Sequence, residues 1–258
     1  MTAVHHRHWP GDRDRPALAL HCMMGSASYW GPIAQRLGGR VDLRSFDMPS
    51  HGRSKPWQQD MSDFHTTITR IAADLIDGPI DLIGHSIGAT VALRLAVDRP
   101  ELVRSLTLIE PVLFAAAPAV PAQAEEHASL VDLLAQDRRD EAVRLFLDRW
   151  GGPGGLDAMP EAVRPALERQ IELIVETSPT LSQDRADILR EGGLESIEAP
   201  VMLIRGGDSP PHMAEILAAL SGRLGDVGRA VVPGAGHMLP LTHPDQVAGL
   251  IGANLDRA

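Results

Sequence analysis

The stretch DLIGHSIGAT, residues 81–90, places a serine between two glycines where an apolar segment gives way to a helix-like one. Residues 80–85 have the composition of a buried strand, and the residues after Ser86 have helical apolar spacing. A sharp turn from strand to helix crowds the backbone around the serine. Glycine at 84 and at 88 removes the Cβ atoms that would clash there. The pattern predicts that the Ser86 hydroxyl stands above a sheet as a candidate nucleophile.

The rest of the chain alternates between strand-like and helix-like segments. Further strands are predicted at 17–22, 41–47, 103–110, 200–207 and 228–234, and helices at about 28–37, 64–77, 87–98, 212–222 and 244–255. Such alternation is typical of βαβ units, in which successive strands run parallel and helices cover the sheet. The sequence therefore predicts an α/β fold with a mostly parallel central sheet flanked by helices.

One long segment, residues 112–190, interrupts this alternation. It has no convincing strand pattern, and it contains the helix-like runs LVDLLAQ and EAVRLFLDRW. We expect a helical cap here, inserted into one loop of a core that residues 1–111 and 191–258 form together. We interpret the segment as a cap rather than an independent domain, so the whole chain would be a single compact domain.

Composition limits the partners that the protein can have. The 258 residues include 34 acidic and 24 basic side chains, a net charge of −10, which disfavours nucleic acid and anionic membrane surfaces. Cys22 is the single cysteine, so no internal disulfide can form. No apolar run has transmembrane length, and the N-terminus lacks a signal-like segment. We expect a cytoplasmic protein, monomer or homodimer, that acts on a small molecule.

A serine hydroxyl is a weak nucleophile without a base, so partners for Ser86 are needed. Asp208 follows the predicted strand at 200–207 in a glycine-rich turn, and His237 lies in the loop after the last predicted strand. The order Ser, Asp, His is the one expected for a nucleophile on a strand–turn–helix. Glu110 ends the strand after the nucleophile helix and is the alternative acid. The N–H of Ile87, at the start of that helix, can stabilise an oxyanion.

These motifs together resemble the α/β-hydrolase fold family over nearly the whole chain. LALHCMMGSASYW, residues 18–30, is similar to the family's oxyanion loop, and SFDMPSHGRSKP, residues 45–56, to the turn after its next strand. The motifs IRGGDS and GAGHMLPLTHPDQV complete the set. Cys22 and Ser50 stand where the family usually has glycine.

The resemblance implies roles for particular residues. Ser86 would be the nucleophile, His237 the base and Asp208 its orienting acid, and the N–H groups of Met23 and Ile87 would form the oxyanion hole. Neither a cofactor nor a metal is implied, and no Cys/His cluster in the sequence has metal-ligand spacing.

We therefore expect a cofactor-free serine hydrolase that cleaves carboxylic esters of small to medium acyl groups through an acyl-enzyme. The cap should roof the pocket with apolar side chains. The candidates for this lining are Met24, Trp30, Val112, Leu113, Phe146, Trp150 and Met238.

Other functions remain open at this point, because one fold serves many reactions. The same triad could serve a lactonase or a C–C bond hydrolase. A non-catalytic ligand receptor is the alternative of another class, although a pure binder would not need a complete triad. Turnover of a p-nitrophenyl ester would separate enzyme from receptor.

Overall fold

A seven-stranded sheet forms the centre of the protein in this computed structural model, which describes residues 4–58, 62–117 and 121–258. The strands are β1 (His6–Trp9), β2 (Pro16–Leu20), β3 (Asp42–Phe46), β4 (Ile80–His85), β5 (Val103–Ile109), β6 (Val201–Gly206) and β7 (Val227–Val232). Their order across the sheet is β1-β3-β2-β4-β5-β6-β7. The edge strand β1 is antiparallel to β3, and the other neighbouring pairs are parallel. The mostly parallel sheet predicted from the sequence is confirmed.

Helices follow most of the strands. They are α1 (Gly31–Leu37), α2 (Phe64–Ala73), α3 (Ile87–Asp98), α4 (Pro121–Ala135), α5 (Arg139–Trp150), α6 (Arg164–Ser182), α7 (His212–Ser221), α8 (Leu239–Thr242) and α9 (Pro244–Leu255). Short 3-10 turns lie at Ala27–Trp30, Pro100–Leu102, Phe114–Ala116, Gly155–Ala158 and Glu161–Val163. Helix α2 ends four residues before the predicted position; α3 and α9 have the predicted bounds.

The central strands β2, β4 and β6 are buried along almost their whole length, because helices cover both faces of the sheet there, and their residues are mostly apolar. Successive residues of a strand point to opposite faces. Leu82 accordingly packs in one core cluster with residues of α2, α3 and α7, and its neighbour Ile83 packs in another with residues of α1 and α9. Leu203 and Ile204 of β6 divide in the same way. The protein therefore has three layers, with helices on each side of the sheet.

The segment 112–190 contains α4, α5 and α6, and no strand is found among its described residues. These helices share a small core of their own, made of Leu130, Ala142, Val143, Leu147, Leu156, Leu167 and Ile171. Phe146 and Ile174 pack against both this core and the larger one beside the sheet. The helical character that the sequence predicts for the segment is thus present. Its delimitation as a cap stays a prediction.

Helices long and apolar enough to cross a membrane are not found in the described part of the chain.

Candidate active site

Ser86 occupies the turn between β4 and α3. Its backbone angles, φ 59° and ψ −121°, are strained for a residue with a side chain. A Cβ on Gly84 would lie 2.3 Å from the carbonyl oxygen of Gly88, and a Cβ on Gly88 would lie 2.3 Å from that of Leu20. Any larger residue at either position would have to displace backbone. The strand-to-helix turn predicted for these residues is present, and it needs glycine at 84 and 88 because backbone atoms occupy the space of a Cβ.

His237 lies in the loop after β7 and is held by Glu110. Its Nδ1 is 3.0 Å from Oε2 of Glu110, and both side chains are buried. The other carboxylate oxygen, Oε1, accepts a hydrogen bond of 2.8 Å from the N–H of Gly206. A carboxylate can only accept, so Nδ1 carries the proton and Nε2 is left with a lone pair. That is the tautomer of a general base.

The expectation from the sequence that Asp208 contacts this imidazole is therefore wrong, because Glu110 does so instead. Asp208 is exposed in the turn after β6, and its N–H donates to the carbonyl of Ala235. The two candidate acids follow neighbouring parallel strands, β5 and β6, so their order in the sequence does not distinguish them. Glu110 has a left-handed backbone (φ 50°), and its N–H is bonded to Ile204 of β6. With this backbone conformation, the Glu110 carboxylate lies within hydrogen-bond distance of the imidazole of His237.

The glycine-rich turn after β6 has a different part in the site from the one expected. Gly206 donates its N–H to Glu110, and a Cβ at this position would lie 2.2 Å from the carbonyl oxygen of Ala235. The motif IRGGDS thus supports the carboxylate through its first glycine. The aspartate in the motif does not reach the imidazole.

Met23 and Ile87 are the expected oxyanion-hole residues, and both line a cavity that also contains Ser86 and His237. No acceptor for the N–H of either is found among the described residues. The loop that carries Met23 is fixed by its neighbours: Met24 donates its N–H to Nε2 of His51 at 3.0 Å, and Ala27 donates to Asp47 at 2.7 Å. Burial, and then the nearby His21, lower the pKa of His51 to about 3, so its Nε2 remains an acceptor near neutral pH.

Within the described residues, two cavities meet at the site. Both are bounded by Met23, Ser86, Phe146, Trp150 and His237. The first extends under α4 and α6 and encloses about 610 Å³, including its open mouth. The second extends toward the end of α5 and the start of α6 and encloses about 780 Å³, again including open space. A group bound at Ser86 could extend in either direction.

The walls of both cavities are mainly apolar. The first adds Val112, Phe114, Leu130, Ile174 and Leu181, with the polar Gln123, Glu126, His127, Thr177 and Ser178. The second adds Cys22, Met24, Leu147, Gly151, Gly152, Met159, Pro160, Val163, Leu167 and Met238. Five of the seven lining residues expected from the sequence are therefore at the site. The other two, Trp30 and Leu113, are fully buried in the core and line neither cavity.

Trp150 connects the segment 112–190 to the imidazole of His237. Its ring centroid is 4.8 Å from that of His237, with the planes at 78°. Its indole N–H donates to Oε1 of Glu126 at 2.7 Å, and Arg149 pairs with the other oxygen at 3.1 Å. Burial raises the pKa of Glu126, and the hydrogen bond from Trp150 acts against this shift. Sequence reasoning missed Glu126 because nothing in a helix pattern shows which polar residue faces inward.

The described residues contain no group of three or more His, Cys, Asp or Glu side chains placed to hold a metal ion.

A sequence model of the alpha/beta hydrolase family matches residues 17–250. The chain belongs to this family. The match includes Ser86, Glu110, Asp208 and His237, and the sheet order and the strand–turn–helix around Ser86 are consistent with it.

Individual hydrolases of the family resemble the chain over most of its length. It is 27% identical over 238 residues to (E)-2-((N-methylformamido)methylene)succinate hydrolase of Acinetobacter baylyi, covering 90% of this chain and 87% of that protein. It is 28% identical over 245 residues to Lipase LipV of Mycobacterium tuberculosis, covering 92% of each. Carboxylesterase CesB of Bacillus subtilis has a similar fold, with a TM-score of 0.71 at 22% identity over 98% of this chain and 88% of that one. The protein is thus a hydrolase.

Proposed function

We propose that this hydrolase is a cofactor-free serine esterase that cleaves carboxylic esters of small to medium acyl groups. Ser86 is the nucleophile, His237 the general base and Glu110 the acid that orients it. The observation that carries the proposal is the contact between His237 Nδ1 and Glu110, in a site whose cavities also contain the strained Ser86. A strained serine, a base and a buried carboxylate have the roles that nucleophilic catalysis requires.

The reaction proceeds in two halves. Nε2 of His237 takes the Ser86 proton as the serine oxygen attacks the ester carbonyl, and the N–H groups of Met23 and Ile87 stabilise the oxyanion. The intermediate collapses, the imidazolium gives its proton to the departing alkoxide, and an acyl ester remains on Ser86. Water, deprotonated by His237, then attacks this acyl ester, and the carboxylic acid leaves with the serine restored.

Glu110 stabilises the imidazolium that forms in each half. The carboxylate is fully buried, so its interaction with the positive ring is screened less than it would be in water. The Gly206 N–H occupies the other carboxylate oxygen and thereby fixes the orientation of the group.

The segment 112–190 acts in this proposal as a cap that selects the substrate. Residues of this segment, on α4, α5, α6 and the loops beside them, supply most of the apolar wall around Ser86. Burying an acyl chain against such a wall contributes about 0.8 kcal/mol for each CH₂ group. Because the two cavities meet at Ser86, the acyl part of an ester can enter one of them and the alcohol part the other.

The test is turnover of p-nitrophenyl butyrate together with labelling by a fluorophosphonate. We expect a single label on Ser86, and a loss of kcat by roughly 10⁴-fold or more in Ser86→Ala. Ser209→Ala is the matched control, because Ser209 is another buried serine just beyond a strand end, and it should retain activity. Labelling of another residue, or normal turnover in Ser86→Ala, would contradict the proposal. Turnover of lactones or C–C substrates instead of esters would retain the triad and change the substrate class.

A further inference from the structure

A buried chain of hydrogen bonds joins Tyr29, His85 and the main chain of His237. The Tyr29 hydroxyl is 2.5 Å from Nδ1 of His85, and Nε2 of His85 is 2.9 Å from the carbonyl oxygen of His237. His85 is completely buried, and Tyr29 is 7% exposed. Neither side chain takes part in the proposed ester cleavage, yet both are polar groups in the interior.

Elementary chemistry determines the direction of each bond in this chain. A carbonyl oxygen only accepts, so Nε2 of His85 must carry a proton and donate it. Burial, followed by the nearby His237, lowers the pKa of His85 well below its ordinary value, so the ring is neutral. Its Nδ1 is then an acceptor, and the Tyr29 hydroxyl is the donor. The Tyr29 hydroxyl thus selects the tautomer of His85 that can hold the His237 backbone.

These hydrogen bonds link the residue that precedes the nucleophile to the backbone of the general base. His85 is the last residue of β4 and immediately precedes Ser86, whereas His237 belongs to a loop beyond β7. The loop has a left-handed glycine at 234, and the ring centroids of His85 and His237 are 4.9 Å apart. Glu110 holds the imidazole of His237 from one side, and His85 holds its main chain.

We propose that His85 is a positioning residue for the esterase reaction: with its tautomer set by Tyr29, it fixes the backbone of the general base relative to the nucleophile. The inference rests on the proposed function. Proton transfer from Ser86 to His237 depends on the separation of these groups, and a displacement of about 1 Å can lower a rate about 10²-fold.

Three variants separate the hydrogen bond from the volume of the side chain. In His85→Gln the amide nitrogen is as many bonds from Cβ as Nε2 is, so it can donate to the His237 carbonyl. His85→Leu fills similar space without a donor. Tyr29→Phe removes only the hydroxyl that sets the tautomer. We expect kcat to fall about 10²-fold in His85→Leu, about tenfold in Tyr29→Phe and less than about fivefold in His85→Gln.

A double mutant tests the proposed role of the tautomer. The side chain introduced by His85→Gln has no atom equivalent to Nδ1, so it needs no donor from Tyr29. Adding Tyr29→Phe to His85→Gln should therefore change kcat by less than about twofold, although Tyr29→Phe alone lowers it about tenfold. Equal effects of Tyr29→Phe in both backgrounds would overturn the tautomer argument.

His65→Leu is the matched control for loss of a buried histidine. His65 is also fully buried and hydrogen-bonded, to Thr90 at 3.1 Å, but it lies on α2 and lines neither cavity. The His65→Leu variant should have a lower melting temperature. When measured well below that temperature, its kcat, KM and fluorophosphonate labelling rate should stay near the wild-type values.

The readouts distinguish positioning from stability and from failure of the proposed function. Positioning predicts that His85→Leu lowers kcat and the labelling rate in parallel while KM changes less than about threefold. A lower melting temperature with unchanged kcat would make His85 merely structural and overturn the inference. If wild-type protein neither hydrolyses esters nor is labelled at Ser86, the proposed function itself fails, whatever the His85 variants do.

Discussion

Replacing Glu110 by glutamine should invert the tautomer of His237. The amide has one accepting oxygen and one donating nitrogen, and the two neighbouring groups are both donors: the N–H of Gly206 at 2.8 Å and Nδ1 of His237 at 3.0 Å. The Gly206 N–H is backbone and cannot reverse its role, so the amide oxygen must turn toward it. The amide NH₂ then faces His237, which can adapt only by moving its proton from Nδ1 to Nε2.

An imidazole protonated at Nε2 cannot take the proton of Ser86. We therefore expect kcat to fall about 10⁴-fold, equivalent to about 5.5 kcal/mol in the activation free energy, with little change in fold. Asp208→Asn is the matched control, since Asp208 is exposed and does not contact His237, and it should lie within about threefold of wild type.

The assay is steady-state hydrolysis of p-nitrophenyl butyrate, with active enzyme counted by fluorophosphonate and folding checked by thermal melting. A Glu110→Gln enzyme within tenfold of wild type would refute the tautomer argument. The reverse ranking, with Asp208→Asn the more damaging change, would return the acid to the turn after β6.

Three further outcomes follow from other parts of the fold. Ile174→Phe and Leu167→Phe narrow different cavities, so each should affect only one of two series of p-nitrophenyl and alkyl esters, the one with growing acyl chains or the one with growing alcohol chains. In the affected series kcat/KM should fall about fourfold for each carbon that no longer fits. If both variants affect the same series, the assignment of acyl and alcohol parts to different cavities is wrong. Asp81 is fully buried and forms an ion pair with Arg15 at 3.0 Å. Asp81→Asn should therefore lower the free energy of unfolding, measured in urea, by about 3–5 kcal/mol and leave kcat unchanged. Asp245→Asn, which removes an exposed partner of Arg36, should change the free energy of unfolding far less. Burial lowers the pKa of His21 to about 4 and of His51 and His65 to about 3. As the pH falls, the unfolded chain binds protons at these histidines before the folded protein does, so the stabilisation is full above about pH 6.5 and decreases toward pH 4. His65→Gln should reduce the slope of unfolding free energy against pH by up to about 1.4 kcal/mol per pH unit, and an unchanged slope would refute the lowered pKa of His65.

Local sequence was sufficient for the layered fold and for the position of Ser86. Strand and helix patterns depend on periodicities of two and 3.6 residues that are visible in a short window. The predicted strand at 80–85 and the helix at 87–98 agree with β4 and α3 at both ends. The turn between them needs glycine at 84 and 88 because backbone from neighbouring residues approaches within 2.3 Å of the missing Cβ positions. This steric requirement for glycine is therefore visible in the sequence itself.

The contacts of the site needed the tertiary structure. Glu110 and Asp208 both follow strands that end at the same edge of the sheet, and a single left-handed residue brings the glutamate to His237. Trp30 was expected at the pocket and is core, whereas Glu126 was not expected there and lines the cavity. Which polar residue of a helix faces a cavity, and which of two carboxylates contacts the imidazole, depend on contacts between distant residues: Glu126 and Trp150 are 24 positions apart, and Glu110 and His237 are 127 apart. Short-range patterns carry no record of such packing, so only the folded chain decides it.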